Sequence, residues 1–158
     1  MNLDLPEIQS LDPEEVIRYK LAEARRQTTS ALMVEDTSFV MHCFGQLPGP
    51  FIKWFLISCG GPPGLYQLAY DMMDFAAVAT TVIGYSNHMG DLTYYRGDVP
   101  GKIVSPRGDN GFLWDTIFQP DGHTQTFAQM TMTQKNRISH RGIALDKMRK
   151  HFEINGML

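Results

Sequence analysis

Apolar side chains return at Ile17, Leu21 and Ala24, spacings of four and three that predict a helix with one apolar side running to about Thr28. Asp12-Pro13-Glu14-Glu15 opens it, with Asp as cap, Pro at the first helical position and acids in the first turn. Lys20 then rides on a rigid element. Ala31 to Val34 reads as a short apolar strand that runs into Glu35-Asp36-Thr37, which places an acidic pair at the end of a buried strand, where open sheets gather ligand chemistry. Leu47-Pro48-Gly49-Pro50 is a stiff turn, and Phe51 to Leu56 is an aromatic-rich helix or buried segment that stops at Gly60-Gly61-Pro62-Pro63. A short helix is expected over Gly64 to Ala69. Phe75 to Tyr85, dense in Ala, Val and Thr, predicts a long strand, with a hairpin turn at Ser86 to Asp91 and a return strand at Leu92 to Gly97 that Gly101 to Val104 extends. From Pro106 to Gly122 the pattern is that of a loop except near Ile117-Phe118. Thr133 is read as the cap of a last helix that begins near Gln134 and carries Ser139, Ile143, Ala144, Lys147 and Met148 at helical spacings.

The 158 residues, 43% of them hydrophobic, suffice for one core, so residues 1–158 are read as a single domain. With 17 acidic and 14 basic side chains the net charge is −3, which argues against indiscriminate binding to nucleic acid or an anionic membrane. Cys43 and Cys59 match neither a redox nor a zinc spacing, and as free thiols they suit a reducing compartment. The first seven residues carry acids where a secretory signal has a basic region, and no stretch reaches the ~18 apolar residues of a membrane span. The expectation is a cytoplasmic protein with small partners.

One segment departs from the acidic background. Lys135-Asn136-Arg137-Ile138-Ser139-His140-Arg141 packs three cations, two short polar side chains and an imidazole into seven positions, the composition of a local anion site. Upstream, Phe112-Leu113-Trp114-Asp115 adds two aromatics and a carboxylate, and Glu7, Glu35 and Asp36 add acid. Stacking, anion-binding and metal-binding chemistry together point to a nucleotide with its phosphates.

The same strings carry a family resemblance. Asp4-Leu5-Pro6-Glu7-Ile8-Gln9, Val34-Glu35-Asp36-Thr37, Leu47-Pro48-Gly49-Pro50-Phe51-Ile52-Lys53-Trp54-Phe55, Pro106-Arg107-Gly108, Phe112-Leu113-Trp114-Asp115, Phe118-Gln119-Pro120-Asp121-Gly122, Thr126-Phe127-Ala128 and Lys135 to Arg141 occur in an order that resembles the inosine triphosphate pyrophosphatase family. The resemblance implies an α/β domain, an elongated mixed β-sheet flanked by helices, and hydrolysis of ITP, dITP and XTP to the monophosphate and pyrophosphate by a homodimer with Mg2+. It implies Glu7 and Asp36 as metal ligands, with Asp36 also orienting or deprotonating the attacking water. Lys20 would neutralise phosphate charge. Phe112 would stack on the base, with Trp114 lining the pocket and Asp115 reading the base edge. Lys135, Ser139, His140 and Arg141 would contact phosphate or base.

If Asp36 faces the cleft, Glu35, its neighbour on an extended backbone, faces the other way as a structural or accessory acid. Two departures are visible. The family opens with a strand and a Thr/Ser-Gly-Asn-x-x-Lys phosphate loop that precedes the point where this sequence begins, so a domain lacking its N-terminal phosphate-loop segment is expected. Leu113 stands where the family carries Gly. The alternatives are a pyrophosphatase with altered base choice and a catalytically silent nucleotide-binding or structural homologue.

Overall fold

A computed structural model describes residues 5–157; Asp4, part of the string that carried the resemblance, lies outside the described residues. Five strands form one sheet in the order β2-β1-β3-β4-β5: β1 Leu32–Met41, β2 Pro48–Gly49, β3 Ala76–Ser86, β4 Leu92–Ile103 and β5 Phe118–Pro120. At ~3.4 Å per residue the twelve residues of β4 extend roughly 40 Å, which makes the sheet the elongated element expected. Its described pairings are all antiparallel, where a mixed sheet was expected. The β3–β4 hairpin falls where the sequence pattern put it, with Ala76 opposite Lys102 and Ser86 opposite Leu92.

Helices flank both faces. α1 (Pro13–Arg25) is capped by the Asp12 side chain, which accepts from the Glu14 N–H at 2.9 Å. Its Ile17 and Leu21 pack on Val82 of β3, with Leu32 and Val34 of β1 beside them. Each such aliphatic side chain, fully buried, contributes ~1.5–3 kcal/mol. On the opposite face α5 (His140–Ile154) sets Ala144 against Ile83 and Tyr95. The main core lies toward the other end of the sheet, where Phe39 and Met41 meet Trp114, Phe118 and Phe127, with Ile52 and Leu56 of α2 (Ile52–Ser58) and Leu65 and Ala69 of α3 (Pro62–Asp71) closing it.

Two differences from the sequence pattern bear on the site. β1 does not stop at Val34 but continues through Met41, because Thr37, Phe39 and Met41 keep the alternation going on one face while Ser38 and Thr80 are buried on the other. The acidic pair therefore sits in the middle of a strand. The tail is two helices rather than one. α4 (Met132–Ile138) is capped by Thr131, whose hydroxyl accepts from the Gln134 N–H, and it ends at Ser139, whose Oγ accepts from the Gly142 N–H at 3.1 Å and starts α5.

The start of α5 lies against the sheet itself. A Cβ on Gly97 would stand 2.0 Å from the His140 carbonyl oxygen, so only glycine on β4 permits this approach. Gly97 pairs with Thr81, and Thr81 pairs with Thr37 of β1, so one row of small side chains runs beneath the helix N-terminus.

Candidate active site

Strand alternation sends Glu35 and Thr37 to the α5 face and Asp36 to the α1 face. The predicted residues accordingly gather in two clusters joined through one strand.

On the α1 face Lys20 is the hub. Its Nζ lies 2.6 Å from Glu7 Oε1, 3.0 Å from Asp36 Oδ1 and 3.3 Å from the Glu35 carbonyl oxygen, so all three of its donors are matched by acceptors. Burial alone would lower the Lys20 pKa, but the Glu7 and Asp36 carboxylates outweigh it and hold the ammonium above its ordinary value. Asp36 moves up as well. Burial is the largest cause, opposed by the Lys20 charge and assisted by repulsion from Glu7 and Glu35. One oxygen explains the direction: Asp36 Oδ2 is buried without a hydrogen-bond partner among the described residues.

On the α5 face a cavity of about 430 Å³ is lined by Glu35, Thr37, Phe112, Lys135, His140 and Arg141, among others. Of these, Phe112 is 73% exposed. Trp114 shows a different role. It is 3% exposed, with its ring centroid 4.5 Å from that of Phe39, 5.5 Å from Phe118 and 5.3 Å from His140, so it lines the cavity as a residue of the core.

Asp115, also buried, has its Oδ2 occupied by the Phe112 N–H at 2.6 Å and by Lys135 Nζ. That carboxylate fixes the loop presenting Phe112, and Gly111 is required beside it because a Cβ there would fall 2.4 Å from Oδ2. Leu113 holds φ at +54°, the left-handed region that costs a branched side chain ~1–2 kcal/mol.

The His140 imidazole is buried between Trp114 and Phe127, and its pKa is lowered to about 4 by burial and by the Lys135 and Arg141 charges. It is therefore neutral at pH 7, and Nδ1 lacks a partner among the described residues. Ser139 Oγ accepts from the Gly142 N–H as the α5 cap, and its O–H remains able to donate. Arg141, 62% exposed at its side chain, is held by Glu35, with Nη2 2.8 Å from Oε1.

Glu35 and Thr37 are the residues that sequence reasoning missed. Alternation put Glu35 and Asp36 on opposite sides of an extended backbone, and so they lie: Glu35 lines the cavity and Asp36 is on the other face. Reading the period-two alternation onward from Thr37 through Phe39 to Met41 would have found both. His42 Nδ1 meets Asp74 Oδ2 at 2.5 Å, and neither residue lines the cavity.

Among the described residues no group of three or more His, Cys, Asp and Glu side chains converges as a ready metal cage. Two carboxylates do converge, Glu7 and Asp36, and the bare Asp36 Oδ2 is a hard buried acceptor. That donor set fits a divalent ion that takes its remaining ligands from water and phosphate, as Mg2+ does.

With this geometry in view, the sequence model of the Ham1 family matches residues 1–151. Similar solved structures include the Staphylococcus aureus Ham1 protein, at 23% identity and TM-score 0.83 over 98% of this chain and 82% of that one. A HAM1 protein from Coxiella burnetii matches at 25% identity and TM-score 0.83, over 94% of this chain and 81% of its own. A nucleoside-triphosphatase, or dITP/XTP pyrophosphatase, from Mycobacterium abscessus matches at 24% identity and TM-score 0.75, over 94% and 81%.

Proposed function

The chain belongs to the Ham1 family, and from that premise we propose that it hydrolyses noncanonical purine nucleoside triphosphates, ITP, dITP and XTP, to the monophosphate and pyrophosphate. The observation that carries this reading is the division of labour along β1: an aromatic and cation-lined cavity on one side of the strand, and a buried carboxylate with an unpartnered oxygen beside a lysine on the other.

In this reading the base stacks on Phe112 while Lys135 and Arg141 donate to its oxo groups or to the phosphates. Neutral His140 offers one donor and one acceptor, and the Ser139 O–H one more donor. Nucleotides whose polar edges leave these groups unmatched are disfavoured by ~1–3 kcal/mol for each unmatched buried group, roughly fivefold to a hundredfold in selection. The phosphates cross β1 toward Lys20, which releases Glu7 as it takes up phosphate charge.

Water attacks the α-phosphorus, the bond to the oxygen bridging the α- and β-phosphates breaks, and pyrophosphate leaves with that oxygen. Asp36 accepts the proton from the attacking water, a task its raised pKa favours over that of an ordinary aspartate. Glu7 and Asp36 would hold Mg2+, which when bound neutralises phosphate charge and lowers the pKa of a bound water.

A homodimer in the cytoplasm completes the proposal. Trp54 and Ile57, 62% and 66% exposed one turn apart on α2, support a partner surface, and the free Cys43 and Cys59 suit a reducing compartment. Altered base choice is the second reading, favoured by the strained Leu113 beside Phe112.

The test is pyrophosphate release from ITP and XTP against ATP and GTP with Mg2+. Preference for the first pair supports the first reading, preference for another purine the second, and no release from folded protein refutes both.

A further inference from the structure

We infer that Glu35 is a positioning residue for Arg141, fixing one edge of its guanidinium so that the remaining donors face the nucleotide; the inference rests on the proposed reading of the cavity as a nucleotide site. Arg141 is the second residue of α5 and its side chain extends from the helix into solvent. An arginine so exposed samples many rotamers, and a ligand that recruits it bears the ordering cost. Glu35 removes part of that cost. It projects from β1 into the same cavity and takes one nitrogen, Nη2, at 2.8 Å, leaving Nη1 and Nε available.

The base of this tether is rigid. The Glu35 backbone is paired with Ile83 in the middle of the β1–β3 ladder, and its carbonyl oxygen also accepts from Lys20. One residue thus touches both clusters, its main chain the lysine on the α1 face and its carboxylate the arginine on the α5 face. Glu35 has no side-chain partner among the described residues other than Arg141.

The effect should be one of binding, not of chemistry. Glu35→Gln is expected to raise KM for ITP about twofold to fivefold, the size of a half-exposed charge pair, with kcat unchanged. In an Arg141→Ala background the same substitution should change KM by less than about 1.5-fold. Ligand-free protein carrying 15N-labelled arginine gives a second readout. The Arg141 guanidinium resonance should be resolved from bulk arginine in the wild type and collapse toward it in Glu35→Gln.

An equal KM effect with and without Arg141 would mean that Glu35 acts on the nucleotide directly, and an Arg141 resonance indifferent to Glu35 would mean that no tether exists; either overturns the inference. Should the wild type turn over no nucleotide, the proposed function fails on that result, and the arginine resonance still decides whether Glu35 holds Arg141.

Discussion

Acid should destabilise this protein through His140, and the size of the effect follows from its burial. The folded imidazole titrates at about 4 against an ordinary 6.5. As pH falls below 6.5 the unfolded chain takes up a proton there that the native state refuses until about 4, so stability is fully present above 6.5 and is lost across that window. At ~1.4 kcal/mol per pH unit the whole gap is worth ~3 kcal/mol, most of it spent by pH 4.5.

His140→Phe is the informative perturbation. A phenyl ring suits the stack between Trp114 and Phe127 and removes a buried Nδ1 that has no partner among the described residues. The variant should match the wild type at pH 7 to within ~1 kcal/mol. By pH 4.5 it should be the more stable by about 2–3 kcal/mol. Urea unfolding followed by circular dichroism at half-unit pH steps measures this. Other groups titrate in the window, Asp36 with the opposite sign, but they cancel in the difference between the two proteins. A difference that stays flat from pH 7 to 4.5, or a His140 pKa near 6 by NMR, would refute the reasoning.

Three further outcomes are expected. Asp36→Asn should cut hydrolysis by about 10²–10⁴-fold, read as pyrophosphate release from ITP by protein whose circular dichroism shows it folded. Phe112→Ala and Trp114→Ala should separate binding from folding: the first weakens nucleotide binding by ~1–3 kcal/mol with little change in urea midpoint, while the second destabilises by ~3–5 kcal/mol. Leu113→Gly should gain up to ~1 kcal/mol by relieving a left-handed leucine, and should change the ratio of kcat/KM for ITP over GTP if Leu113 sets base choice.

Much of the scaffold was legible because its signals are local. Asp12-Pro13 announced α1, and the run from Phe75 to Tyr85 followed by a turn announced the β3–β4 hairpin. The clustering of Lys135, His140 and Arg141 was visible for the same reason. What escaped depended on orientation. Ser139 fits a helical spacing and also caps a helix, and its extended backbone, with ψ at 154° and Oγ accepting from the Gly142 N–H, marks the break there. Glu35 and Asp36 are adjacent acids whose roles hinge on which side of β1 each faces, and that is decided by α1 and α5 packing on opposite faces of the sheet, a long-range fact. The resemblance implied Asp115 as a base reader, and the hold of its Oδ2 on the Phe112 N–H and on Lys135 was not legible in the sequence.

The most direct test of the central claim is the regiochemistry of ITP hydrolysis in 18O-labelled water with Mg2+. Attack at the α-phosphorus predicts one labelled oxygen in IMP and none in pyrophosphate; label in released orthophosphate or in pyrophosphate, or no turnover by folded protein, would contradict it.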